Sequence, residues 1–262
     1  MARRKTGFAA LFARTALAAL LLAVAGCGRR PPVDAVEWTV MGTVARVQMR
    51  GPVDKAAVAA VQDVFARVNR LLNAHDPDSE LSRLAGLGDD EILARCDPEM
   101  RPCYAAAFRL RDETDGRFNP RWRGAGTMDL GGIAKGFAVD RAAAALAGTA
   151  QDTLIDLGGN LKAVRGAWRV GIYTPAGGAA TRLITLAPGE SCATSATYFR
   201  GDHIRDGRTG AAAAPDATSV TVVHPASAMR ADGLSTTLFL LGRTAGDAFL
   251  AAHDPDATAL WL

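Results

Sequence analysis

Apolar positions recur every three to four residues between Asp54 and Leu72. Val58, Val61, Phe65, Val68, Leu71 and Leu72 share one face of a predicted helix, with Asp54 placed to cap it. Upstream, residues 38–49 alternate apolar and polar well enough for one or two strands, broken at Met41-Gly42-Thr43. Downstream, NAHDPDSELSRLAGLG interrupts the pattern. Asp-Pro-Asp predicts a turn, Ser79-Glu80 the start of a short helix and Gly86 its end. A further helix is predicted from Asp97-Pro98 to about Thr114, before Asp115-Gly116 turns the chain. The stretch DLGGIAKGFAVDRAAAALAG (129–148) then enters a helix with Ile133, Phe137 and Leu146 inward.

The second half shifts to the period of strands. TLIDL, AWRVGIY, RLITLA, SCATSATYF and SVTVVH read as successive strands, partly a meander. HPASAMRADGLSTTLFLLG returns to helix, TAGDAFLAAH makes another, and TALWL is a final strand. Helices and strands are partly segregated along the chain, which predicts an α+β fold.

The ends change the picture. Arg3, Arg4 and Lys5 precede an apolar stretch (Ala16 to Ala25) too short to span a bilayer, and Val24-Ala25-Gly26-Cys27 follows. Residues 1–26 therefore read as a secretory signal. The small-residue site ending in Cys27 resembles the lipobox of bacterial lipoproteins, in which that cysteine becomes the lipidated first residue. Residues 27–37 read as a proline-bearing tether and 38–262 as the working domain. Removing the signal takes away Arg3, Arg4, Lys5 and Arg14 and no acidic residue, so the net charge of +3 becomes −1. That leaves no charge excess to recruit nucleic acid. Cys96 and Cys103, near neighbours in an exported chain, are candidates for a disulfide, and Cys192 is left over. No Cys/His spacing resembles a zinc site.

Three segments carry candidate chemistry. DLGGIAKGFAVD sets glycines and Lys135 at a helix start, an arrangement suited to phosphate. Neither a P-loop (no Ser or Thr follows the lysine) nor a GxGxxG fingerprint is present. MRADGLSTTLF puts Asp232 and Thr236 four apart, hence on one helical face, where a carboxylate and a hydroxyl suit a hard cation. HIRDGRTG gathers His203, Asp206, Arg208 and Thr209 in one polar loop. Taken singly, HIRDGRTG reads more readily as an ordinary turn, and Asp232 with Thr236 as a cap.

Their order is more specific than any one of them. MGT, DPDSELSRL, FNP, DLGGIAKGFAVD, DLGGN, ATS, HIRDGRTG and ADGLSTTLFLLG follow one another from about residue 38 to 262. Together they resemble the FAD:protein FMN transferases, the ApbE family. The resemblance implies a single T-fold-like α+β domain of mixed sheets packed with helices. It implies FAD as substrate and Mg²⁺ as cofactor. The activity implied is transfer of FMN to a Thr or Ser hydroxyl of a partner protein with release of AMP. By the same resemblance, Met41, His75, Asn119, Asp129, Lys135 and Ile204 contact the flavin nucleotide. Gly132 (through its carbonyl), Asp232 and Thr236 hold the metal. His203 acts near the acceptor hydroxyl. The proton acceptor that hydroxyl needs is His203 or the nearby Asp206, and histidine is the better base because it titrates near neutral pH. A lipid anchor on the periplasmic side of a membrane completes the expectation. An FAD pyrophosphatase making FMN and AMP, and a non-catalytic flavin-binding lipoprotein, are the alternatives.

The chain departs from that pattern in four places. His75 stands where an aromatic usually precedes DPxSE. Only RWRGAGTM separates Phe118-Asn119-Pro120 from DLGGIAKG, where relatives carry a few dozen residues with a Trp-Gly-Phe segment, which leaves Trp122 as a substitute aromatic. Gly207 replaces a common proline and is expected to loosen the His203 loop. Cys192 abuts ATS, where oxidation would disturb the site.

Overall fold

The computed structural model describes residues 31–173, 180–197, 201 and 203–262. Cys27 and the leading segment, as well as Tyr198 and Phe199 at the end of SCATSATYF, lie outside the described residues.

The fold is α+β. Strand β1 (Val33–Val40) turns at Met41-Gly42 into β2 (Thr43–Arg50). Both turn residues take positive φ, 51° and 66°, as a two-residue hairpin loop with the twist of its strands requires. β1 thus begins inside the stretch read from sequence as tether. Helix α1 (Lys55–Leu72) follows. Asp54 caps it as expected, its carboxylate accepting from the amides of Ala56 (2.9 Å) and Ala57 (3.2 Å).

Next come α2 (Glu80–Leu84, capped by Ser79), α3 (Asp89–Arg95) and α4 (Arg101–Glu113). The helix predicted from Asp97 starts later, because Pro102 belongs at a helix start and the preceding residues form a turn. α3 was not predicted; it has three acids in its first turn but one buried apolar side chain, Ile92, and so no readable period.

After α5 (Ala134–Ala145), the chain forms β3 (Thr153–Leu157), β4 (Asn160–Arg165), β5 (Trp168–Tyr173), β6 (Ala180–Leu186), β7 (Ser191–Ala196) and β8 (Ser219–His224). It closes with α6 (Ala228–Leu241), α7 (Arg243–His253) and β9 (Thr258–Trp261). Strand β4 is not among those the sequence predicts. Gly158-Gly159 make the turn into it, and a side chain at Gly158 would stand 2.4 Å from the Thr43 hydroxyl.

Seven strands form one sheet in the order β1-β2-β3-β4-β7-β8-β9, every neighbouring pair antiparallel. Side-chain alternation then assigns two faces. Ala45, Val47, Ile155, Leu157, Ala193, Val220 and Val222 pack on α1, α5 and α6 in the main core. Leu154, Ala163 and Cys192 point the other way, against Trp168 and Leu186 of the β5–β6 hairpin. Cys96 and Cys103 are separate buried thiols, so the disulfide considered from sequence is not formed. No helix among the described residues is long and apolar enough to cross a membrane.

Candidate active site

The DLGG turn is built by local bonds. Asp129 Oδ1 accepts the Gly131 amide at 2.8 Å, and the amides of Ile133 and Ala134 both return to the Leu130 carbonyl, winding the chain into α5. Lys135, in the first turn of α5, folds back to donate to the Gly131 carbonyl at 2.8 Å. Its ammonium is 3.9 Å from Asp232 Oδ2 on α6. The same carboxylate oxygen accepts the Gly136 amide at 2.9 Å, so an acid from one helix caps the start of another. Burial pushes the Asp232 carboxyl up from the usual range, while Lys135 and the Gly136 amide pull it down.

This contact is possible because α5 and α6 touch backbone to backbone at Gly136. A Cβ there would fall 2.1 Å from the Ala228 carbonyl oxygen. Asp140, one turn further along α5, fixes the same pair of helices. Its carboxylate accepts from Ser227 Oγ (2.7 Å) and from the amides of Ala228 (2.9 Å) and Met229 (3.0 Å) at the start of α6. Lys162 of β4 lies 3.1 Å from Asp140.

One turn after Asp232, the Thr236 hydroxyl donates to the Gly132 carbonyl at 3.3 Å. Ser195 of β7 lies 3.4 Å from Thr236 and 2.9 Å from Ser235. The three residues expected to hold a metal therefore converge, and every donor is oxygen. No cluster of three or more His, Cys, Asp or Glu stands elsewhere as a metal centre among the described residues. A single carboxylate, a hydroxyl and a carbonyl suit a hard cation that takes its remaining ligands from phosphate and water.

The corner opens into a cavity of about 900 Å³. Met41, His75, Asn119, Asp129, Lys135, His203 and Ile204 all line it with the corner residues, so residues from five separate segments meet at one site. Asp206 does not line it. Its carboxylate accepts the Arg208 amide at 2.9 Å and lies 3.8 Å from the Arg117 guanidinium, which makes it a brace of the loop rather than the base considered from sequence. His203 is exposed, and its Nδ1 is 2.9 Å from the Gly201 carbonyl. A carbonyl only accepts, so in the neutral ring Nδ1 carries the proton and Nε2 keeps the lone pair.

Gly207 also departs from expectation. Its amide donates to the Arg117 carbonyl at 2.8 Å, a bond a proline cannot make, and a Cβ would strike Asn119 Cβ at 2.2 Å. Glycine here tightens the loop instead of loosening it. Cys192 lines the cavity, and burial pushes its thiol up to about 12, which disfavours the thiolate that oxidation needs.

Sequence reasoning missed Asn73, Asn160, Ser195, Arg205 and Ile172 in the lining. Ile172 and Ser195 were legible as strand and Asn160 was not, and nothing local says which face meets a cavity.

Comparison with known proteins fits this geometry. The sequence model of the ApbE family matches residues 41–125 and 122–261. The chain belongs to the ApbE family. The two matched pieces meet at residues 122–125, inside the short loop before Asp129. An FAD:protein FMN transferase of Treponema pallidum (strain Nichols) is 28% identical, covering 94% of this chain and 89% of that protein. One from Haemophilus influenzae is 25% identical, covering 93% and 90%. The flavin transferase ApbE from Vibrio cholerae shares the fold with a TM-score of 0.71 at 22% identity, over 88% of this chain and 94% of that one.

Proposed function

We propose that this protein is a Mg²⁺-dependent FAD:protein FMN transferase that moves FMN from FAD onto a Thr or Ser hydroxyl of a partner protein and releases AMP. The observation that carries the reading is the convergence of Gly132, Asp232 and Thr236 beside Lys135, on a cavity that His203 also reaches. Asp232, Thr236 and the Gly132 carbonyl would hold Mg²⁺, which when bound supplies neutralising charge to the pyrophosphate.

The remaining work falls to the chain's own residues. Asp129 and the Gly131-Gly132 turn shape the floor on which the pyrophosphate rests. Lys135 is held back toward that turn and offers a fixed positive charge to the phosphates. The acceptor hydroxyl forms a new P–O bond to the FMN phosphorus as the bond to the bridging oxygen breaks, and that oxygen leaves with AMP. The proton of the hydroxyl passes to Nε2 of His203, the ring nitrogen left with a lone pair. A lipid anchor at Cys27, on the periplasmic side of a membrane, belongs to the same reading; its support is the sequence of the leading segment.

Incubating the protein with FAD, Mg²⁺ and a threonine-bearing acceptor peptide tests the proposal. The expected result is a peptide mass gain equal to FMN with one AMP released, both lost in Asp232→Ala. FMN and AMP appearing with no change in the peptide would make the chain a pyrophosphatase instead. Intact FAD after prolonged incubation would leave a binder.

A further inference from the structure

The loop between Pro120 and Asp129 is where this chain parts from its family, since the two matched pieces of the family pattern meet there. It is short and braced by internal bonds. The Asp129 amide returns to the Pro120 carbonyl at 2.7 Å, closing the loop at its base. Inside it, the Trp122 amide donates to Asn119, Gly124 to Arg121 and Thr127 to Gly124. Arg121 locks the loop to the body of the domain, donating to the carbonyls of Ala85 (2.5 Å) and Leu87 (2.8 Å) and to Asp89 (2.9 Å). The residues on either side of that anchor are consequently held in place.

Trp122 and Arg123 are turned to the cavity, and both line it. The Arg123 guanidinium lies over the indole, 4.8 Å from its centroid. It is also 3.3 Å from Asp129 Oδ2, on the turn expected to seat the pyrophosphate. One face of the indole is therefore backed by a cation that is itself tied to the phosphate turn. A half-buried indole at the edge of a ligand cavity offers a large apolar surface that water covers poorly and a flat ring covers well.

We propose that Trp122, backed by Arg123, is the platform on which a planar ring of the flavin dinucleotide stacks in this chain. The inference rests on the transferase reading for the identity of the ligand. It predicts that Trp122 sets affinity for the dinucleotide without touching the reacting phosphorus. Arg123 positions it and adds a positive charge near the pyrophosphate.

The test is equilibrium binding of FAD to the full protein in EDTA, which withholds the cation and stops turnover. Trp122→Ala is expected to weaken FAD about tenfold or more, the scale of losing one ring-on-ring stack. Trp122→Phe should recover most of that loss. Arg123→Ala, at a side chain 42% exposed and so safe for folding, should weaken FAD several-fold. Titrating FMN and ADP separately into wild type and Trp122→Ala identifies the ring: the half that loses affinity is the one that stacks. Unchanged FAD affinity in both Trp122→Ala and Arg123→Ala would overturn the proposal. A wild-type protein that binds no FAD in EDTA and neither binds nor cleaves it once Mg²⁺ is restored would instead sink the transferase reading itself, so the two failures are distinct.

Discussion

A methyl group added at Gly136 would stand 2.1 Å from the Ala228 carbonyl oxygen, and one added at Gly207 would stand 2.2 Å from Asn119 Cβ. The overlaps are nearly equal, but the surroundings are not. Gly136 lies between two buried helices whose faces are packed on the sheet, with Asp232 Cβ a further 2.7 Å contact. Gly207 lies between two surface loops that meet at the mouth of the cavity. Packed helices move only as units, whereas loops yield locally. The cation corner is thus set by the core of the fold, and the rim by a handful of surface bonds. The first should be intolerant of change and the second adjustable, which is where a chain can differ from its relatives and keep its chemistry.

The largest effect should come from Gly136→Ala. Alanine favours a helix over glycine by about 1 kcal/mol, but forcing backbone apart in a packed interface costs about 3 kcal/mol or more. The expected net is a loss of about 2–3 kcal/mol in chemical denaturation, together with loss of transfer activity, because Asp232 moves with α6. A variant as stable as wild type would mean the helices separate freely and the corner is not rigid. Asp140→Ala tests the same corner from its other end. It leaves three donors at the start of α6 without their acceptor, and Lys162, whose side chain is 11% exposed, without its carboxylate. A cap alone is worth about 1 kcal/mol, and the stranded partners bring the expected loss to about 2 kcal/mol, readable as a lowered denaturation midpoint.

Gly207→Ala should reverse the proportion. The rim loop must shift off Asn119 and the Gly116 carbonyl, but as one surface loop against another, so stability should fall by about 1 kcal/mol, less than for Gly136→Ala. The shift carries His203 with it, and transfer to an acceptor peptide should drop at least tenfold while FAD binding changes little. Equal losses of binding and transfer would show that the loop serves the nucleotide rather than the acceptor.

How much of this was legible in the sequence follows the same division. α1 could be read because eighteen residues carry one unbroken period, and Asp232 and Thr236 because four residues is one helical turn. α3 could not, since a seven-residue helix with one buried side chain has no period to detect. The place of Gly136 was quoted within its motif, yet its reason is a carbonyl 92 positions away in sequence, and no local pattern encodes that. Asp206 looked like a candidate base because a carboxylate beside a histidine usually invites that reading. Only the positions of Arg117 and Arg208 show it bracing the loop. Gly207 was misread for the same cause: a glycine is loose only where nothing fills the space its side chain would take.

The smallest effect expected is a dependence on pH, and it bears on what holds the corner. His224, at the end of β8, accepts through Nδ1 from the amides of Ala226 (3.1 Å) and Ser227 (3.0 Å) just before α6. Its Nε2 faces Asp254 at 3.5 Å, and Arg230, Asp140 and Lys162 supply the other nearby charges. Burial holds this histidine below its ordinary value, outweighing the pull of Asp254. A protonated Nδ1 cannot accept, so protonation would cost both bonds that prepare the helix start. The folded protein therefore resists a proton that the unfolded chain takes up near the ordinary histidine value of about 6.5. Stability from this group is complete above that pH and declines as pH falls below it, until the folded-state value is reached. Denaturation midpoints measured between pH 7.5 and 5 should show the decline, and His224→Gln should remove this histidine's share of it. A slope that persists unchanged in that variant would place the sensitivity on the carboxylates around α6 and leave His224 a neutral cap.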